Sequence, residues 1–391
     1  MRIVSLVFAP LAEDARVQRT ATALSEAGHE VLVVARPPFP AKGAYRRHAL
    51  PPLSAPIIQR LVLVATQAPA TLLSGLAPSL YWLPRLRRAA LRAALDFRPD
   101  IVICNDWNTL PIGTAVSRRH GAKLVYDAHE LATREHIQNW KWRLVSHRAV
   151  LEIERRNLPF VDLVVTVSEG IAQSLRNLYG LTHKPIVIRN LPRYQAIPFR
   201  EIKLPLTILF HGLIRRERGL EELIDSMPAW RFDGRLVIRG YGQEGYLEAL
   251  RQRAGQRGVA ERVLIAPRVS PERLVTEAAA ADIGYLALPG TTEHYEFALP
   301  NKLFEYMMAG LPVMATSRVE MASVISSTRS GFITELEPQA LAATLNGLDL
   351  ADLNRMRRAA LAAAQSLNWE HEQTRLIAAI GSLEPRPRTG G

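Results

Sequence analysis

The chain has 391 residues, 48% of them hydrophobic and 22% charged, a length that calls for two or three domains and a composition that excludes a long disordered chain. One cysteine, Cys104, excludes an intramolecular disulfide and any multi-cysteine zinc site and fits a reducing compartment. The net charge of +12 lies in the first half, where residues 1–195 carry 26 Lys+Arg against 14 Asp+Glu, while the remainder carries 23 of each. Only the first half is therefore expected to meet a large polyanion. With no helix-turn-helix, zinc-finger or aromatic RNP-type strand pattern, that partner is an anionic membrane surface rather than nucleic acid.

Residues 1–12 are apolar, show no cleavage pattern and run directly into Glu13-Asp14, so they do not read as a secretory signal. Residues 2–9 are rich in β-formers and too short for a helix. A helical period follows over 14–27, closes at Gly28-His29, and gives way to a second apolar run at 31–35. Strand, helix, glycine stop and strand make a βαβ unit, which requires a parallel sheet.

Residues 61–84 carry no charge, but Gln67, Pro69 and Pro78 interrupt them, and a bilayer span here would split an α/β domain. Two readings stay open. One is a pair of buried or amphipathic helices; the other is an interfacial pair with Tyr81-Trp82 at headgroup level and Arg85, Arg87, Arg88 and Arg92 on anionic lipid.

The βα rhythm returns with a strand at 101–104, a helix to about His120, strands at 123–126 and 163–167, a helix from Ser168 and a strand at 185–188. Pro192, Pro198 and Pro205 mark an interdomain linker. The second half repeats the alternation, with apolar runs at 206–210, 236–238, 263–265, 283–286 and 312–315. The expected fold is α/β, with two Rossmann-like doubly wound domains and a cleft at the carboxyl ends of their strands, where ligands bind in such sheets. The first domain covers 1–195 and the second 196–365. Residues 366–383 form a C-terminal helix crossing back to the first domain, and 384–391, dominated by Pro, Arg and Gly, form a disordered tail.

The chemistry concentrates in a few stretches. Pro300-Asn301-Lys302-Leu303-Phe304-Glu305 continues through Gly310 into residues 312–315 and reads as a loop, a helix stopped by glycine, and a buried strand. Leu303, Phe304, Met307 and Met308 form the apolar face, which leaves Glu305 on another side, where a carboxylate can accept two hydrogen bonds from a ribose diol. The helix start with Lys302 offers amide dipoles and a cation to a phosphate; a solvated surface helix is the plain alternative.

Arg215-Arg216-Glu217-Arg218-Gly219 follows the first strand of the second domain and by itself reads as a charged loop. Arg239-Gly240-Tyr241-Gly242 permits close backbone approach, or is simply a turn. His129 and Glu130 stand at the crevice end of the strand at 123–126, where the histidine can orient groups and stabilise charge, with Glu130 or Asp127 fixing its tautomer. Asp14 and Arg16 either hold an acceptor or cap and charge-balance the first helix. Cys104 reads as a buried, inert thiol. No paired-aspartate metal motif is present, so no metal and no resident cofactor is expected.

The 300–313 segment resembles the donor-site motif of the retaining family-4 glycosyltransferases of the GT-B fold, particularly the branch making bacterial surface polysaccharides. Further resemblances follow in chain order: Asp14-Ala15-Arg16-Val17, Asp127-Ala128-His129-Glu130-Leu131, Val167-Ser168-Glu169, Val187-Ile188-Arg189-Asn190, His211-Gly212 through Arg218-Gly219, and Asn368-Trp369-Glu370.

The resemblance implies a hexosyltransferase with a UDP- or GDP-sugar as co-substrate and a lipid-linked or polysaccharide acceptor. It would act with retention, in the cytoplasm and peripherally at the inner face of the membrane. Implied donor residues are Gly212, Arg215, Arg218, Gly240, Asn301, Lys302 and Glu305; implied catalytic residues are His129 and Glu130; Asp14 and Arg16 fall on the acceptor side. Two positions depart from the family pattern. Leu213 stands where an arginine is usual, and Phe297 stands eight residues before Glu305, where the family has a glutamate holding the transferred sugar. That second departure keeps two other readings alive: a nucleotide-sugar 2-epimerase-like isomerase, or a binding subunit without catalysis.

Overall fold

The structure, a computed structural model, describes all residues except 53–63, 66, 68–76, 289, 291 and 384–391. The chain divides into two compact units: residues 1–189 with 373–391, and residues 190–372. The expected boundary at 195/196 thus falls at 189/190. The proline-spaced stretch belongs to the second unit. There the Trp369 amide donates to the Pro192 carbonyl at 2.9 Å and the Ile202 amide to Asn354 Oδ1 at 2.8 Å. The helix Trp369–Gly381 begins in the second unit and ends in the first.

Among the described residues, the first unit holds strands β1 (Arg2–Pro10), β2 (Glu30–Arg36), β3 (Arg46–Ala49), β4 (Ile101–Asn105), β5 (Lys123–Ala128), β6 (Leu163–Thr166) and β7 (Ile186–Val187). They form one parallel sheet in the order β3-β2-β1-β4-β5-β6-β7. The second unit repeats the plan with β8 (Leu206–Ile214), β9 (Gly234–Gly242), β10 (Val263–Pro267), β11 (Ile283–Leu286), β12 (Val313–Thr316) and β13 (Gly331–Thr334), ordered β10-β9-β8-β11-β12-β13 and also parallel. The direction of winding reverses between β1 and β4 and again between β8 and β11. Such a switch opens a crevice at the carboxyl ends of the strands.

Two strands escape the apolar-run reading: β3 is an exposed, basic edge strand and β13 is short and only half-buried. Elsewhere local chemistry sets the ends of elements. The Asp14 carboxylate accepts from the Val17 amide at 2.9 Å and starts the helix Ala15–Glu26; the Ser168 hydroxyl does the same for Glu169–Tyr179. Alternate residues of β8 enter opposite cores: Ile208 and Phe210 pack with Leu223 and Ile224, while Leu209 packs with Leu303, Met307 and Val313. Both faces of the sheet are therefore covered by helices, and only its carboxyl edge is left for chemistry.

Most of the uncharged stretch 61–84, and the tail 384–391, lie outside the described residues. Within the described part, Tyr81 corrects one expectation. Its side chain is 2% exposed, its hydroxyl donates to the Asn108 carbonyl at 2.6 Å, and the Arg87 guanidinium covers its ring at 4.2 Å. Tyr81 and Arg87 are packed into the protein and do not face a headgroup layer. Among the described residues no helix is long and apolar enough to cross a membrane.

Gly284 lets the helix Asn301–Met308 approach β11, since a Cβ there would stand 2.4 Å from Tyr306 Cγ. Gly284→Ala should force Tyr306 outward and destabilise the second unit by about 1–3 kcal/mol, the usual cost of overpacking. A melting temperature equal to that of the wild type would show that the contact relaxes freely.

Candidate functional site

In the first unit the functional side chains gather where β1, β4 and β5 end. Arg16, on the first turn of the helix after β1, is 4% exposed and makes a bidentate pair with Asp127, Nε to Oδ2 at 2.9 Å and Nη2 to Oδ1 at 2.6 Å. Its Nη1 donates to the Ile188 carbonyl at 2.7 Å. Of the two readings of this pair, the bonds within the protein are the ones present: the Arg16 guanidinium is engaged by Asp127 and Ile188, and the Asp14 carboxylate caps the helix. Burial alone would raise the Asp127 carboxyl, but Arg16 and then His129 hold it well below the usual carboxylate range.

His129 stands just past β5 between two carboxylates. Its Nδ1 lies 3.6 Å from Asp106 Oδ2 and its Nε2 lies 3.5 Å from Asp127 Oδ2, distances of charge pairing rather than of short hydrogen bonds. Its backbone amide donates to Asp106 Oδ1 at 3.4 Å. Burial would lower the imidazole pKa, yet Asp106 and Asp127 outweigh it and raise it to about 9. At neutral pH the ring is an imidazolium, able to donate and to stabilise negative charge but not to act as a base. Glu130 is exposed, and the groups fixing the ring are Asp127 and Asp106.

Sequence reasoning missed Asp106. The residue sits one past β4 with φ 63° and ψ 162°, a backbone conformation that costs a non-glycine residue about 1–3 kcal/mol. Its signal was an acidic residue directly after a buried strand beside the switch point. Cys104, one strand position before Asn105, is fully buried, and burial pushes its thiol up to about 12, which makes it inert.

In the second unit a cationic cluster forms over the ends of β8 and β9. Gly212 and Gly240 are paired in register, and a Cβ on Gly240 would fall 1.8 Å from the Gly212 carbonyl oxygen. Gly212 itself has φ 118°, and a Cβ there would meet Lys302 Cε at 2.6 Å. Two bare glycines thus let the strands close up and let the Lys302 chain lie across them. Burial, with Arg218 and then Arg215 adding repulsion, pushes the Lys302 ammonium down to about 8 despite Glu305. Arg218 is likewise lowered by burial and by Arg215. The loop carrying them turns through left-handed backbone at Glu217 and Gly219 (φ 69° and 65°), and Tyr285 donates its hydroxyl to the Gly219 carbonyl at 2.8 Å.

Glu305, 22% exposed, pairs through Oε2 with His211 Nε2 at 2.9 Å. The Tyr306 hydroxyl accepts from the His211 amide at 3.0 Å and donates to the Tyr285 carbonyl at 3.2 Å, and its ring lies 4.5 Å from the imidazole. Tyr306 thus fixes His211, and His211 holds Glu305 through Oε2, with Oε1 left as an acceptor. Asn301 is exposed at the start of the same helix. Phe297 ends the short helix Glu293–Phe297. The neighbouring Glu296 lies 3.5 Å from Arg318 and accepts from the Val319 amide at 3.2 Å, so it is spent on the start of the helix Val319–Thr328. Among the described residues no group of three or more His, Cys, Asp and Glu is placed to hold a metal ion.

The raised His129 value has a pH consequence. The folded-state value of about 9 exceeds the free-histidine value of 6.5. The imidazolium's contribution to stability is therefore complete below pH 6.5 and is lost as pH rises through about 9. The melting-temperature gap between the wild type and His129→Gln should be largest at low pH and should close over this window. A gap that does not change with pH would mean a neutral ring.

Residues 14–190 match the glycosyl transferase 4-like domain, and residues 205–348 match the glycosyl transferases group 1. The chain is 27% identical over 318 residues to a D-inositol 3-phosphate glycosyltransferase of Acidothermus cellulolyticus, covering 72% of this chain and 68% of the relative. It is 26% identical over 406 aligned positions to a glycogen synthase of Mycobacterium tuberculosis, covering 95% and 92%. Among solved structures, Anabaena Alr3699/HepE in complex with UDP-glucose shares the fold at a TM-score of 0.72 and 17% identity, over 98% of this chain and 100% of that one. With both of its halves matched in order, the chain belongs to the glycosyltransferases, a 4-like domain followed by a group 1 domain.

Proposed function

We propose that this glycosyltransferase takes a hexose from a nucleoside-diphosphate sugar, UDP- or GDP-linked, and transfers it with retention to a lipid-linked or polysaccharide acceptor. The observation that carries the reading is the cluster of Lys302, Arg218 and Arg215 beside bare glycine backbone, with Lys302 pushed down to about 8 by burial and by repulsion from the two arginines. Cations crowded this way favour a diphosphate, whose charge grows as the bond from its oxygen to the anomeric carbon breaks. Glu305, held by His211, is then the acceptor for the ribose diol. The UDP-glucose complex of the structural neighbour supports a nucleotide-sugar donor.

In this reading the first unit meets the acceptor. His129 as imidazolium orients and stabilises charge, and the departing phosphate takes the acceptor proton. Cations and amide dipoles do the work that a metal does elsewhere, so no metal is required. With Phe297 in the position of the family glutamate and Glu296 committed to Arg318, the transferred sugar is gripped differently from the family pattern, with Asn301 or Lys302 as the substitute. The basic first half supports a position at the cytoplasmic face of an anionic membrane.

A thermal-shift screen against UDP, GDP, ADP and TDP tests the donor assignment, since a ligand of the folded state raises its midpoint by mass action. One base should stand out, and Glu305→Gln should reduce that shift while leaving the unliganded midpoint within a few degrees. No shift with any nucleotide would overturn the donor site. A second measurement uses Lys302 itself: a bound diphosphate raises its pKa above about 8, so binding near pH 8.5–9 should take up a proton. Titration calorimetry in buffers of different ionisation enthalpy should show that uptake in the wild type and lose it in Lys302→Met.

A further inference from the structure

The first unit holds a second cavity away from the carboxyl ends of the strands. It lies on the outer side of the helix Leu110–His120, against the helix Arg148–Asn157, and encloses about 810 Å³. That volume is within the range of small-molecule sites. Trp82, Pro111, Ala115 and Phe160 supply apolar walls, and Arg118 and Arg119 line the same cavity. Phe160 is one of the exposed large apolar side chains, 37% exposed, and the Arg118 guanidinium lies 4.2 Å over its ring, so the cation is held above the apolar wall rather than dispersed in solvent.

The charge balance is one-sided. Arg156 also lines the groove and pairs with Glu152, one turn back on its own helix, which leaves Arg118 and Arg119 in excess of carboxylate. Both close the last turn of Leu110–His120, where the helix dipole is negative and cations are favoured. Thr114, 6% exposed in the wall, has a hydroxyl with no hydrogen-bond partner among the described residues. An aliphatic and aromatic groove bordered by guanidinium groups matches a molecule with an apolar chain joined to a phosphate.

We propose that this groove binds a single anionic lipid, its chain between Trp82, Pro111, Ala115 and Phe160 and its phosphate on Arg118 and Arg119. The site belongs to one unit, is separate from the His129 cluster and does not depend on the donor assignment. Lipid held here would attach the basic half of the protein to a membrane through one bound molecule as well as through diffuse charge.

Titration calorimetry on the full chain, with palmitoyl lysophosphatidic acid, palmitoyl lysophosphatidylcholine and inorganic phosphate below micelle-forming concentrations, tests this. The lysophosphatidic acid should bind at least about tenfold more tightly than the choline lipid, because only it offers an uncompensated phosphate to the arginines. Phosphate alone should show no binding. Arg118→Ala with Arg119→Ala, both exposed, should remove the preference for the acid, and Ala115→Trp should fill the groove and abolish binding. The nucleotide-induced thermal shift should persist in both variants, which separates this site from the donor site. Farnesyl phosphate in the same assay separates two sources of the chemistry, a membrane phospholipid and a polyprenyl-linked acceptor, according to which binds tighter. Equal affinity for the two lysolipids, or binding unchanged in both variants, would overturn the proposal.

Discussion

A guanidinium taken out of water must find a carboxylate, and in the first unit Arg16 and Asp127 do so at the carboxyl edge of the sheet, beside His129. The pair ties the helix after β1 to the end of β5, and the third arm of Arg16 reaches the carbonyl of Ile188 just beyond β7. Removing one partner of such a buried pair costs about 3–5 kcal/mol, because the other charge is left without compensation. What the pair contributes to function is the charged state of Asp127. That carboxylate, with Asp106 facing it, keeps His129 protonated, and the histidine is then a fixed source of positive charge.

The second unit carries the opposite imbalance. Lys302, Arg218 and Arg215 gather where the Glu305 carboxylate is already turned toward His211. A cluster held short of anions binds them strongly, since the repulsion among its members is relieved when the ligand arrives. Geometry permits the cluster because Gly212 and Gly240 occupy paired positions at the ends of β8 and β9, where any side chain would collide with backbone or with Lys302. The two units therefore differ in their electrostatics: one presents an imidazolium between carboxylates, the other a crowded group of cations.

The surplus of positive charge in the first half has a local address as well as a global one. Arg87 is drawn inward to cover Tyr81, whereas Arg118 and Arg119 stay at the surface around an apolar groove. A count of charges along the chain cannot separate these two fates, because the difference is made by the neighbouring helices.

By itself the sequence determined the class of fold, the alternation of strands and helices in both halves, and the helix carrying Glu305. Each of these depends on hydrophobic period, caps and glycine stops within some fifteen residues. The weak edge elements, β3 and β13, were not legible, since an exposed basic strand has no apolar run to announce it. Tertiary structure alone decided which polar residues serve the protein and which face a ligand. Arg16 and Asp127 lie 111 residues apart, His211 and Glu305 94 apart, and Arg16 and Ile188 172 apart. Arg16 had two readings until its partner was in place, and Asp106 had none until β4 and β5 set it beside His129. A side chain's charge is local information, but its pKa, its partners and its freedom to bind depend on which distant strands end beside it.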